Sequence, residues 1–302
     1  MSSSPRVSIV IPVYLRQREV NFALQSLAAE ADLIHEVIVV DDASPEPITI
    51  EPPAALADRT RLIRLPENLG SSAARQAAVN HASGDLIAFL DSDDVWLPGK
   101  LAAQLPYFHT GDPMLAVATG WQEVDLDRGV SSTRIPAASA DPVDFASGCW
   151  FCPGSTVIVT RAALERCGPF DTRLRRLEDL DWFLRFALQR GRLVVAQTVG
   201  AVIRRRGPRT NRAAVQEAAF RITRRFAAHP AATSRIRRYL AAWLDVELAS
   251  VAWTQGHRAA ALALILRSQM HVPRRSIHIR CWWQTAQPIL SQAEARALLG
   301  FG

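Results

Sequence analysis

The chain has 302 residues, long enough for a full hydrophobic core and two structural units. Its 49% hydrophobic and 21% charged content suits a globular protein, and the lack of any apolar run of about eighteen residues excludes a spanning helix. The net charge of +6 hides an asymmetry: residues 1–199 carry 18 Lys/Arg against 25 Asp/Glu, and residues 200–302 carry 17 against 4, so the second segment faces either solvent or something anionic.

In chain order, MSSSPRVSIVIPVY lacks the charged start and cleavage site of a leader and reads as a short tail entering a strand, so a cytoplasmic protein is expected. Four apolar runs follow one another: VSIVIPVY (7–14), HEVIVVDD (35–42), RLIRLPE (61–67) and DLIAFLD (85–91). Helix-like segments separate them, at Glu19–Ala29 with Phe22, Leu24 and Leu27 inward, and at Ser71–His81 after Gly70. Apolar strands alternating with helices predict a parallel sheet covered on both faces, which binds ligands at the carboxyl ends of its strands. Those ends carry Tyr14, Asp41 with Asp42, and Asp91 with Asp93 and Asp94, so three strand tips share one acidic rim.

The third tip, FLDSDDVW (89–96), raises a physical question, because clustered carboxylates repel and raise one another's pKa unless a cation or donors absorb the charge. Two readings stand level on this stretch alone: an Asp-rich helix cap, or a divalent-metal site for a phosphorylated substrate. Residues 111–148 show no regular pattern and are expected to be irregular. STVIVT (155–160) predicts a strand, RAALERCG (161–168) a short helix closed by Gly168, and LEDLDWFLRFALQRG an amphipathic helix that starts in acidic residues. LVVAQTV and GAVIRRR (193–206) read as two strands, and the pattern is helical from Asn211 onward, ending in SQAEARALLG. GCWFCPG contains Cys149 and Cys152, but no second ligand pair for zinc and no following helix for a redox motif, so the four cysteines are read as reduced and structural.

Taken in order, VSIVIPVY, EVIVVDDAS, ENLGSSAARQAAVNHASGDLIAFLDSDD and STVIVTRAALERCGPFDTRLRRLEDLDWFLR resemble the family 2 glycosyltransferases, inverting GT-A enzymes with nucleotide-sugar donors. The resemblance spans roughly residues 6–205. It implies a Rossmann-like, mostly parallel sheet flanked by helices, with a catalytic domain over 1–207 and a basic α-helical C-terminal region over 208–302. It places Pro12 and Tyr14 at the nucleotide base, Asp42 on the uracil ring and Arg75 near the nucleotide. Asp93 would ligate Mn²⁺ or Mg²⁺ on the diphosphate, with Asp91 near the ribose and metal shell. Asp179 matches the catalytic base, with Glu178 and Trp182 expected on the acceptor side. Three positions depart from the family pattern: Leu15 stands for the common Asn, Ala43 for Gly, and Gln76 for Asn.

The chemistry agrees, since a diphosphate leaving group needs a hard cation with oxygen ligands, and inversion needs one base at the acceptor hydroxyl. The expected partners are a nucleotide-sugar donor and a carbohydrate or lipid-linked acceptor, in bacterial polysaccharide or glycolipid assembly. Three alternatives remain at this point. A nucleotidyltransferase would show a Gly-rich loop near the N-terminus, which PVYLRQRE lacks. A nucleic-acid-binding tail has only its charge in its favour, and no nucleic acid is expected. An inactive scaffold would not need intact carboxylates at each key position. Ile236, Leu240, Trp243, Leu244, Leu248 and Val251 form a helical apolar stripe expected to pack on the catalytic domain, while Arg235, Arg237 and Arg238 suggest peripheral contact with the anionic inner face of a membrane.

Overall fold

Val and Ile fill the first strands because helices cover both faces of the sheet they form. The computed structural model describes residues 5–125, 129–152, 154–205 and 211–272. Strands β1 (Val7–Val13) and β2 (Glu36–Asp41) are buried at every position, whereas β3 (Thr60–Arg64), at the sheet edge, is half-buried or exposed throughout. Strand β4 (Leu86–Phe89) is again fully buried. Strands β2 and β4 flank β1, and all these pairings are parallel, as the apolar runs predict. Helix α1 (Gln17–Gln25) ends earlier than expected and gives way to a 3₁₀ segment at Ala28–Leu33, while α2 spans the expected Ser71–His81.

Beyond the short β5 (Val95–Trp96) and α3 (Lys100–Gln104), the stretch expected to be irregular contains β6 (Leu115–Asp125), its hairpin partner β7 (Val130–Arg134), and α4 (Pro142–Ala146), capped by Asp141. The pattern is hidden there because β6 is buried on both faces and carries small or polar residues at Thr119, Gly120 and Gln122. A Cβ on Gly120 would lie 2.6 Å from the Arg134 carbonyl oxygen, so only glycine fits. Strand β8 (Val157–Thr160) and helix α5 (Arg161–Cys167), closed by Gly168 at φ +76, match expectation, and α6 (Glu178–Leu188) follows. The two strands expected over 193–206 are one, β9 (Arg192–Arg205), whose parallel register against β6 shifts on either side of Gly120. That bulge absorbs the break that Gln197–Gly200 suggests in sequence.

The nine-stranded sheet runs β3-β2-β1-β4-β8-β6-β9-β5, with β7 beside β6. Its first half is parallel; in its second half β8 runs antiparallel between β4 and β6. Helices α7 (Arg212–Ala228), α8 (Ser234–Thr254) and α9 (Arg258–His271) complete the described chain. Phe226 of α7 and Ile236, Leu240, Trp243 and Leu244 of α8 share one core cluster with Val10, Phe151 and Trp182. The apolar stripe of α8 therefore packs on the catalytic body, each fully buried side chain contributing about 1.5–3 kcal/mol. Trp243 sits so close to the backbone that a Cβ on Gly148 would lie 2.6 Å from its ring. Among the described residues no helix is long and apolar enough to cross a membrane. The 207/208 boundary and the SQAEARALLG helix fall outside the described residues.

Candidate active site

Because β2, β1 and β4 are adjacent and parallel, their carboxyl ends lie side by side and bring the acidic rim together. Tyr14, 40% exposed, offers its ring there, whereas Pro12 is buried within β1 opposite Val40. Asp42 is buried, and its two carboxylate oxygens accept from the amides of Leu69 and Gly70, each at 2.8 Å. The Asn68-Leu69-Gly70 turn is thus clamped to the tip of β2, and Gly70, at φ +94, opens α2. Asp41 instead holds the loop below, accepting from the Ser44 amide at 2.9 Å and from Arg64 at 2.5 Å.

Two of the departures from the family pattern have a backbone explanation. Leu15 and Ala43 adopt φ of 59 and 56, the left-handed region that Asn and Gly enter at low cost. Leu177, immediately before Glu178, has φ 61. Strained backbone is thereby concentrated around the rim and the start of α6. The third departure, Gln76, accepts a hydrogen bond from the Phe170 amide at 2.8 Å, tying α2 to the loop that leads to Glu178.

Arg75 joins the two halves of the site. From α2 its Nη2 donates to Asp91 at 2.5 Å and its Nη1 to Glu178 at 2.6 Å, across a sequence separation of 103 residues in the second case. Glu178 is buried and also accepts from the Ser71 hydroxyl at 3.1 Å, so it faces Arg75 rather than an open acceptor surface. Asp179, the next residue, is half-buried and makes no hydrogen bond or ion pair among the described residues. Burial and then the Glu178 charge push its carboxyl up from 3.8 to about 7, with Arg75 pulling the other way. A carboxyl poised there, with free oxygens, suits a general base.

Asp93 pairs with Arg16 at 2.8 Å. Asp94, buried behind it, accepts from the Ser155 hydroxyl at 2.5 Å and from the Arg204 amide at 3.2 Å. Burial, then the charges of Asp91 and Asp93, hold its carboxyl well above the usual range. Among the described residues no three His, Cys, Asp or Glu side chains converge as a closed metal cage. Asp91 and Asp93 still fit Mg²⁺ or Mn²⁺, because such ions take one or two protein carboxylates and fill the remaining positions with phosphate oxygens and water.

The expectation that Trp182 lies on the acceptor side is corrected: its side chain is 0% exposed, stacked on Phe170 and Phe186, and its indole N–H donates to the Gly168 carbonyl. It belongs to the inner face of α6, where an aromatic ring gains most from burial. Asp181 also turns away from Asp179, accepting from Arg185 and from Arg225 of α7. Cys149 and Cys152 are free thiols joined by a hydrogen bond; that hydrogen bond and burial raise the Cys152 thiol. Several site residues escape sequence reasoning. Arg16 and Ser155 are brought to the rim by the fold, and Arg176 lies near enough to Asp179 and to Glu247 of α8 to pull both carboxyls down against burial. The only sequence signal for Glu247 was its place on α8 one turn after Trp243, which anchors that helix over Gly148.

With this geometry in place, comparison with known proteins is decisive on family. Residues 8–168 match Glycosyl transferase family 2. The chain belongs to this family. Members related to it include EpsE of Bacillus subtilis (strain 168), which carries a glycosyltransferase name and is 31% identical over 191 residues, 62% of this chain and 68% of EpsE. The Escherichia coli UDP-Glc:alpha-D-GlcNAc-diphosphoundecaprenol beta-1,3-glucosyltransferase WfgD is 32% identical over 99 residues, 33% of this chain and 39% of WfgD. In fold, the chain is similar to S. aureus TarS 1-349 in complex with UDP, with TM-score 0.64 and 18% identity over 89% of this chain and 81% of that one. The TarS complex with UDP-GlcNAc matches with TM-score 0.64 and 17% identity, over 89% and 82%. The architecture is GT-A, and the matched family is one of glycosyltransferases rather than nucleotidyltransferases.

Proposed function

We propose that this glycosyltransferase moves a sugar from a uridine diphosphate donor to an acceptor hydroxyl with inversion, in bacterial polysaccharide or glycolipid synthesis. The observation that carries the reading is the Arg75 bridge, which joins the strand-tip carboxylate Asp91 to Glu178 and so sets Asp179 beside the donor rim. Tyr14 packs on the base, and Asp42, whose oxygens each retain a second lone pair beyond the Leu69 and Gly70 bonds, accepts from the base N–H. TarS complexes with UDP and UDP-GlcNAc support the choice of base. Asp93 and Asp91 would hold a divalent cation, which when bound would neutralise charge on the leaving diphosphate.

Asp179 takes the proton of the acceptor hydroxyl. The acceptor oxygen bonds to the anomeric carbon, the bond from that carbon to the phosphate oxygen breaks, and its electron pair leaves with the diphosphate. Arg75 holds Glu178 in place, and the Glu178 charge in turn raises the Asp179 carboxyl. Arg176 and Glu247 border the acceptor side of Asp179. A lipid-linked acceptor, of the kind in the WfgD name, would be met at the membrane, where the exposed Arg235, Arg237 and Arg238 of α8 give reversible contact with anionic lipid. The test is a panel of UDP-sugars with Mn²⁺, scored for donor hydrolysis and for the anomer formed; a retained anomer refutes single displacement. Co-sedimentation with anionic vesicles checks the membrane contact, which no binding at low salt would exclude.

A further inference from the structure

The two carboxylates read as the cation site are each already matched by an arginine: Asp91 by Arg75 at 2.5 Å and Asp93 by Arg16 at 2.8 Å. A guanidinium and a dication on one carboxylate oxygen repel each other, so one must move when both compete for the site. The structure distinguishes the two arginines. The Arg75 side chain is 8% exposed and gripped by both Asp91 and Glu178. The Arg16 side chain is 30% exposed, and Asp93 is its one ion-pair partner among the described residues.

The backbone under Arg16 is fixed, because Leu15 sits at φ 59 with its amide on the Ser44 hydroxyl at 3.0 Å. The long side chain can therefore swing about an anchored Cα at the tip of β1, next to the tip of β4. A diphosphate bound at the cation would lie within reach, and a planar guanidinium fork matches phosphate oxygens in pairs.

We infer that Arg16 competes with the divalent cation for Asp93 and, once released, binds the donor diphosphate. Arg16 thus has two positions, one on the carboxylate and one on the phosphate. The arrangement makes nucleotide and metal bind together: metal alone must displace Arg16 without replacing its partner, whereas metal with diphosphate gives Arg16 a new anion. The inference rests on the proposed cation site, and its test separates the two.

Mn²⁺ alone is titrated into the wild type, Arg16→Gln, Arg16→Lys and Asp93→Ala, reading the free-ion electron paramagnetic resonance signal. UDP is then titrated calorimetrically at saturating Mn²⁺. Arg16→Gln is expected to bind Mn²⁺ alone more tightly, by about three- to tenfold, and to bind UDP with Mn²⁺ more weakly by about tenfold or more. Arg16→Lys keeps the charge but loses the fork, so its Mn²⁺ affinity should stay near wild type while UDP binding falls. Opposite signs in the two titrations are the signature that a merely structural ion pair does not produce. Unchanged or weakened Mn²⁺ binding in Arg16→Gln, with Asp93→Ala defective, overturns the role of Arg16 alone. Unchanged Mn²⁺ binding in Asp93→Ala overturns the cation site and the inference with it. Thermal melts of each variant verify folding.

Discussion

Replacing Asp179 by Asn should make the enzyme more stable and nearly inactive, with the stability gain confined to one side of the pH scale. The folded protein raises this carboxyl from 3.8 to about 7, so its charged form is disfavoured by the fold. The cost is absent below pH 3.8, grows between 3.8 and 7, and is complete above 7. At 1.36 kcal/mol per pH unit the interval sets a ceiling of ~4 kcal/mol. Part of the side chain meets solvent, and screening reduces the realised figure to ~1–2 kcal/mol. For a chain of this size that corresponds to about 2–6 °C in Tm. Asn has the same size and no charge, so Asp179→Asn is expected to melt higher at pH 8 and to match the wild type at pH 4. Transfer should fall by roughly two to four orders of magnitude, with affinity for donor and metal near normal. Wild-type kcat/KM should rise with pH on a limb near 7, because the base works ionised, and a bound cation should draw that limb lower. Calorimetry at the two pH values and a product assay check all three. A variant with equal Tm differences at both pH values would refute the burial argument, and one with normal turnover would remove Asp179 from the chemistry.

Asp93→Ala should abolish metal-dependent UDP binding, whereas Asp94→Ala should retain part of it and lose ~1–3 kcal/mol of stability, because Asp94 ties Ser155 and Arg204 together inside the protein; denaturant melts and calorimetric titration separate the two effects. Lys100 is fully buried over the Trp96 ring, and burial lowers its amine from 10.5 to about 7. Its cost is complete below pH 7 and relieved as pH rises toward 10.5, so Lys100→Met should stabilise the protein by ~1–3 kcal/mol at pH 6 and by much less at pH 10, the lost Gln104 hydrogen bond reducing the gain. Ala43→Gly should stabilise by ~0.5–1 kcal/mol without changing activity, since φ 56 is easy for Gly and strained for Ala; an unchanged or lower melting point would contradict this.

The parallel half of the sheet and its acidic rim could be read from the residue order. Strands buried on both faces are largely continuous apolar runs, and β1, β2 and β4 end within two residues of the rim residues Tyr14, Asp42 and Asp91. Chain order along parallel strands then suffices to place those tips on one edge. Periodicity also located α6 and the stripe of α8, because a helix that packs on a core repeats its apolar residues. It failed for β6 and β9, whose break in pattern is a shared bulge at Gly120, a property of the pair and of neither strand separately. Trp182 shows the same limit: its neighbour Asp179 is open to the site, yet three positions along the helix the ring points into the core. Composition showed a basic C-terminal segment, but the pairing of Arg225 with Asp171 and Asp181 appears only once α7 lies against α6. Motifs marked the carboxylates. Their charge partners, Arg16 on Asp93 and Arg75 between Asp91 and Glu178, depend on distances across segments that sequence spacing does not encode, and those distances set which carboxyls are paired with an arginine and which, Asp179, is raised instead.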